Sequence, residues 1–255
     1  MKFAILAVMF CLAGLAACSP MFTPPPLPTN TPLPPTDTPT PTIVWFPPTA
    51  TSTRLPTATL SITPTLDTRP QYSGLVFSDD FSDPNMWSLG KTPVGSIALG
   101  VNELSLAVTQ ARGYLFSLCQ GPTLDDFYAE ISVNPSICRG EDEYGLLLRV
   151  SPSLNFFRFA LTCNGMARVD RFLDGVASAP QPPVLSGAVP PAAPSVSRLG
   201  VWARGKELRF YANGQYLFSI HDSSIPAGGL GVFARAGGED MVSVNFSKLE
   251  VYDVK

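Results

Sequence analysis

From Leu75 onward the chain is a succession of short apolar runs, most alternating with polar residues and nearly all separated by Gly, Pro, Asn, Asp or Ser. Alternation with a period of two is the pattern of a half-buried β-strand, and no stretch holds a helical period beyond a turn. The first run is Leu75-Val76-Phe77-Ser78-Asp79-Asp80-Phe81; others follow at 96–99, 103–109, 113–119, 127–133, 144–150, 156–163, 167–172, 198–204, 207–212, 215–221, 230–234 and 242–252. So many short strands argue for an all-β fold, with two antiparallel sheets packed as a sandwich. The clearest register signal is Asn213-Gly214. This pair accepts the positive φ angles of a type I′ turn, whose twist matches that of the flanking strands. Leu208, Phe210 and Ala212 should then face one way, with Arg209 and Tyr211 facing the other.

Composition supports the same class. Gly (20) and Pro (27) are frequent and charged residues make up only 15 %, which suits a turn-rich β protein better than a helical one. Lys and Arg number 17 against 20 Asp and Glu, a formal net charge of −3; no basic patch argues for nucleic acid as a partner. One part resists the strand pattern. Residues 178–197 hold six prolines, and proline removes ladder hydrogen bonds, so an exposed connection or a frayed edge strand around Val184 and Leu185 is expected.

Upstream the chain changes character. Residues 19–70 carry 15 Pro and 15 Thr in 52 positions, with only Asp37, Asp67, Arg54 and Arg69 charged. Such a segment lacks the apolar residues needed to offset chain entropy. Region 18–70 therefore reads as a disordered Pro/Thr-rich linker, extended at ~3.1 Å per residue to an upper reach of order 160 Å. A passive spacer, a proline-motif ligand and an O-glycosylated stalk all fit Thr-Pro repeats. The apolar island Ile43-Val44-Trp45-Phe46 finds no explanation in this scheme. Ahead of the linker, Lys2 precedes an apolar run from Phe3 to Leu15, too short to span ~30 Å of hydrocarbon. Its ending, Leu15-Ala16-Ala17-Cys18, resembles the lipobox of bacterial lipoproteins. That resemblance implies a signal peptide at 1–17, acylation of the Cys18 thiol, and an extracytoplasmic protein whose membrane partner is reached through lipid. One acyl chain holds a protein only marginally, whereas two or three hold it stably.

Asp79-Asp80-Phe81-Ser82-Asp83-Pro84 with Trp87, Asp126-Phe127-Tyr128-Ala129-Glu130, Tyr144-Gly145-Leu146-Leu147-Leu148-Arg149, the Asn213-Gly214 hairpin and Ile225-Pro226-Ala227-Gly228-Gly229-Leu230-Gly231-Val232 carry a second likeness. Together they resemble concanavalin A-like jelly-roll domains of bacterial surface lipoproteins, among them the 3-keto-disaccharide hydrolase-like and laminin-G-like groups. The resemblance runs from about residue 75 to 255 and implies a jelly-roll sandwich over 71–255. Members bind glycans, hydrolyse them or have no known ligand, so the fold does not choose among these. The Glu-x-Asp-x-Glu triplet of laminarinase-type members, or its one-residue-longer version, is absent from the sequence.

Three cysteines remain for the domain once Cys11 leaves with the signal and Cys18 takes lipid. If 144–150 and 156–163 form a hairpin turning at 151–154, Cys138 and Cys163 lie at similar distances from the turn and could meet at its open end. Such a bond would contribute ~3 kcal/mol in an oxidising compartment. Cys119 is then left as a small buried apolar residue, although pairings that include it stay open.

Glycoside hydrolysis usually needs two carboxyl groups about 5 to 10 Å apart. Candidates are Glu141, Asp142 and Glu143 between two glycines, where solvated charge is the ordinary outcome, together with Asp125, Asp126 and Glu130. Asp79, Asp80 and Asp142 could feed a structural calcium, since hard cations want several oxygens, but no loop spacing specifies one. No other cofactor or metal set is indicated. His221 beside Asp222 lacks an identifiable nucleophile and reads as a surface histidine.

Opposite the core set stand Tyr128, Glu130, Arg149, Arg158, Trp202, Arg204, Arg209 and Tyr211. If they line one sheet, aromatic faces could stack on sugar rings while Arg and Glu bond hydroxyls. Equally, Trp202 and Tyr211 could cover a second layer, with arginines snorkelling over them. The sequence thus points to a carbohydrate-binding or adhesive module with no catalytic residue assigned. A glycoside hydrolase of the 3-keto-disaccharide type and a structural envelope protein are the alternatives, and the oligomeric state is not legible.

Overall fold

The computed structural model describes Pro70 and residues 72–254; the segments expected to be a signal peptide and a linker, with Cys18, lie outside the described residues apart from Pro70. Fifteen strands and one 3-10 turn, Pro84–Met86, make up these residues. One sheet has the order β13 (Gln215–His221), β12 (Glu207–Ala212), β11 (Ser197–Arg204), β6 (Phe127–Ile137), β15 (Val242–Asp253), β4 (Leu104–Val108), β3 (Gly95–Leu99) and β2 (Gly90–Thr92). Its ninth strand, β1 (Leu75–Asp79), pairs with the last third of β15. The second sheet has six strands in the order β10 (Val176–Leu185), β9 (Met166–Leu173), β8 (Phe156–Thr162), β7 (Glu143–Val150), β14 (Gly229–Arg235) and β5 (Tyr114–Leu118). Every pairing is antiparallel, and the expected jelly-roll sandwich is what forms.

Alternation explains which side of each strand is buried. Leu208, Phe210 and Ala212 are fully buried in the main core, while Tyr211 belongs to a separate cluster on the outer side of the same sheet. Asn213 and Gly214 take φ of 52° and 76°, so the two turn residues need the left-handed region that this pair tolerates. Across the sandwich, Phe159 of β8 meets Phe210 of β12 at 4.9 Å and the edge of Phe218 of β13 at 6.4 Å. The entry motif is also explained: Asp79 accepts the Phe81 backbone N–H at 2.8 Å and the indole N–H of Trp87, whose ring stacks on Phe81 at 5.0 Å. Asp83 caps the 3-10 turn by accepting from Asn85 N at 2.9 Å.

The proline-rich stretch divides. Its first part is β10, an exposed edge strand whose pairing with β9 slips twice, as an edge rich in proline should. Cys138 and Cys163 form a disulfide with Cα atoms 5.8 Å apart. It sits at the open end of the β7–β8 hairpin, where Cys163 N also donates to Asp142 O at 3.0 Å. Cys119 is buried and unpaired, and burial pushes its thiol up to about 11. Short β2 went unanticipated because Gly90-Lys91-Thr92 is exposed throughout and carries no apolar signal.

Candidate functional site

The outer face of the six-stranded sheet is set by register. One row across it runs Tyr114, Arg235, Glu143 and Thr162; the next runs Phe116, Phe233, Gly145, Ala160 and Arg168; the third runs Leu118, Gly231, Leu147, Arg158 and Asp170. Phe156 and Phe172 close the β8–β9 side as a directly paired stack at 4.7 Å. Small residues therefore occupy the middle of the face. Gly145 has no alternative, because a Cβ there would lie 2.0 Å from the Phe159 carbonyl oxygen.

In the row beside these small residues stands Arg158. Its guanidinium carbon is 5.3 Å from the Phe233 ring centre, 5.2 Å from Phe172 and 5.8 Å from Tyr114, distances at which a cation is attracted to the ring quadrupole. Its nitrogens reach Asp170 at 2.6 Å and Glu143 at 3.5 Å. Arg168 joins the same two carboxylates, at 3.1 Å to Glu143 and 2.6 Å to Asp170, and Arg235 approaches Glu143 at 3.3 Å. Glu143 and Asp170 are each only 3 % exposed. Buried carboxylates persist only when paired, and here three guanidiniums surround two of them. A cleft of about 240 Å³ opens above, lined by Tyr114, Phe156, Arg158, Phe172 and Arg235. Burial pushes the Tyr114 phenol up to about 12, so it stays protonated.

The candidate residues from sequence do not form one site. Tyr128, Glu130, Trp202, Arg209 and Tyr211 gather on the outer face of the nine-stranded sheet, Trp202 paired directly with Tyr128 and Arg209. Their ring faces are occupied. Arg209 lies 4.4 Å over Trp202 and is held by Glu207 at 2.7 Å. Tyr72 stacks on Tyr128 at 4.8 Å, Tyr216 meets Tyr211 edge-on at 5.8 Å, and the Tyr128 hydroxyl donates to Glu130 at 2.5 Å. Arg204 ends β11 in solvent. Arg158 belongs to the opposite sheet, as described.

Arg149 lies on neither face. A left-handed backbone (φ 50°) at the end of β7 turns it into the loops, where it is fully buried. There its guanidinium donates to the carbonyls of Gly205 (2.9 Å), Ile225 (3.1 Å) and Asp125 (2.7 Å). It clamps three loops and is withdrawn from the ligand-facing set.

The acidic run also departs from expectation. Only Glu141 is solvated; Asp142 is 2 % exposed and accepts from Arg139 N at 2.7 Å and Gly237 N at 2.8 Å, while Glu143 enters the arginine network. Asp126 accepts from Gly205 N at 2.6 Å, which makes it a loop brace. Asp222 is taken by Arg171 at 2.7 Å and by Ser224, leaving His221 exposed opposite Glu207. Among the described residues no three His, Cys, Asp or Glu side chains converge to hold a metal ion, so Asp79, Asp80 and Asp142 do not assemble a calcium site.

Glu143 and Asp170 share one guanidinium nitrogen and so lie no farther apart than glycosidase carboxyls commonly do. Both, however, are covered by arginine side chains. The cleft itself presents rings and guanidiniums. Sequence reasoning missed Tyr114, Phe156, Arg168, Asp170, Phe172 and Arg235; the one available hint was the pair of small outward positions, Gly145 and Ala160, in the middle of two long apolar strands.

The architecture is that of a jelly-roll β-sandwich with a charged, aromatic outer face. Solved structures of this class that it resembles include a carbohydrate-binding module (CBM66) from Bacillus subtilis, with a TM-score of 0.54, 16 % identity, and coverage of 66 % of this chain and 96 % of that one. A protein of unknown function with a galectin-like fold, also from Bacillus subtilis, gives a TM-score of 0.55 at 12 % identity, covering 72 % and 97 % of the two chains. A native glycosidic hydrolase gives 0.54 at 12 %, covering 70 % and 96 %. Likeness at such identities is likeness of fold. No family model matches the sequence, and no curated protein matches it either.

Proposed function

We propose that the protein is a non-catalytic carbohydrate-binding module, tethered outside a cell membrane by lipid on Cys18 and a Pro/Thr linker, with its ligand on the six-stranded face. One observation carries this reading: the cleft there exposes Phe156, Phe172 and Tyr114 beside two guanidiniums, whereas the neighbouring carboxylates lie buried beneath. Sugar rings offer C–H faces that pack on aromatic rings and hydroxyl oxygens that accept from guanidinium. The names of similar structures, a carbohydrate-binding module among them, support a glycan as the ligand class. The nine-stranded face is the weaker candidate, because its Tyr128, Trp202 and Tyr211 are buried, whereas Tyr114, Phe156 and Phe172 remain partly exposed.

The test is binding of the protein to a broad glycan panel, repeated with Phe172→Ala. Replacing this half-buried ring should weaken binding about tenfold, a ring contact being worth roughly 1 kcal/mol or more, with the circular dichroism unchanged. Hydrolysis of any bound glycan would overturn the non-catalytic assignment. For the tether, mass spectrometry of the protein from its host should show a diacylglycerol-modified Cys18 at the new amino terminus; an unmodified one would contradict it.

A further inference from the structure

We infer that the cleft on the six-stranded face takes an acidic saccharide, a sugar bearing a carboxylate such as a hexuronic acid; this rests on the proposed glycan-binding reading and narrows it. The polar groups lining the cleft are Arg158, Arg235 and Tyr114, and no carboxylate, amide or carbonyl side chain stands among them. A guanidinium carries five N–H donors and no acceptor. A neutral sugar hydroxyl is best held by one acceptor and one donor, and here the Tyr114 hydroxyl is the one lining side chain that could accept its proton. A carboxylate only accepts, and it matches the guanidinium fork in charge and planarity.

Charge and an unused donor favour the same class. Arg158, Arg168 and Arg235 face only Glu143 and Asp170, which leaves one positive charge in excess in the cluster. The carboxylates also divide that charge unevenly. Arg158 and Arg168 are both bound to Asp170 at 2.6 Å, while Arg235 makes a single longer approach to Glu143 and keeps a side chain 38 % exposed. Arg235 is thus the guanidinium best able to turn toward a ligand. Beside it across the β5–β14 pairing, the buried Tyr114 hydroxyl finds no acceptor for its proton among the described residues. A ligand oxygen between Arg235 and Tyr114 would supply that acceptor. The sugar ring would then extend toward Phe156 and Phe172, on the far side of Arg158.

The experiment is titration of the protein with oligomers of galacturonate, glucuronate and mannuronate and, in parallel, with their methyl esters, which keep the ring and remove the charge. At least one acid form should bind about tenfold or more tighter than its ester, the worth of one charge-assisted hydrogen bond. Arg235→Gln should abolish that preference, and since the side chain is partly exposed the variant should fold. Tyr114→Phe should reduce acid binding in a protein of unchanged secondary structure. Equal affinity for acid and ester, or a preference that survives Arg235→Gln, overturns the acidic-sugar inference while leaving a glycan-binding protein. Binding of neutral glycans alone does the same. Failure to bind any member of either series or of the neutral panel overturns both readings together.

Discussion

On the nine-stranded face the arginine lies on top of the aromatic ring: Arg209 covers Trp202 and is pinned by Glu207, and Tyr72 covers Tyr128. On the six-stranded face Glu143 and Asp170 lie at the bottom, Arg158 is bound to both and lies near Phe233, Phe172 and Tyr114, and Phe156, Phe172 and Tyr114 line an open cleft. Both faces hold the same kinds of residue. What differs is how much ring surface each face leaves exposed. Tyr128, Trp202 and Tyr211 are buried by their neighbours, whereas Tyr114, Phe156 and Phe172, although they too touch Arg158 or one another, keep part of their surface exposed and so have apolar area to offer a ligand.

That contrast can be broken at several levels. The largest expected effect is on stability at the buried network. Arg158→Ala takes one guanidinium from two carboxylates that are almost wholly buried and leaves Arg168 bridging them, so the cost should fall at the low end of the range of about 3–5 kcal/mol that breaking a buried pair carries; urea denaturation should show a lower midpoint. A wild-type midpoint would mean the network is solvated. Next comes the Cys138–Cys163 bond, which spans 25 residues of sequence and anchors the β7 end that carries Glu143. Replacing both cysteines by Ala should remove ~3 kcal/mol, and a stability unchanged by reductant would exclude the bond. On the opposite face Arg209→Ala should cost no more than about 1 kcal/mol, the value of a surface cation–π contact. A loss as large as that at Arg158 would erase the distinction between the faces. Smallest of all should be the response of Cys119. Its thiol is buried and raised to about 11, so at pH 8 it is almost entirely protonated and should react with an alkylating reagent only after unfolding. Stoichiometric labelling of the native protein would refute this.

How much of this the sequence disclosed depends on the range of the interaction. The Asn213-Gly214 turn and the inward set Leu208, Phe210 and Ala212 were readable because a two-residue turn fixes register locally. The hairpin that brings Cys138 to Cys163 was readable because its strands are joined by the short connection 151–155. The six-stranded cleft was not, since alternation says which residues share a face of one strand but not which strands share a sheet. Tyr114, Arg158 and Arg235 come from three distant stretches and meet only because β14 pairs with β7 on one side and β5 on the other. Arg149 misled for a local reason: a single left-handed residue at the end of β7 breaks the alternation and turns its side chain into the loops. Glu143 misled because charge between glycines usually meets water, and only the arginines contributed by β8, β9 and β14 explain its burial.

The central claim is that the six-stranded face, and not the nine-stranded one, receives the ligand. Amide hydrogen exchange of the protein with and without a bound oligosaccharide tests it most directly. Protection is predicted in β8, β9 and β14, with β11 and β12 unchanged; protection centred on Trp202 and Tyr211 in β11 and β12, with the Arg158 region unaffected, would contradict the account.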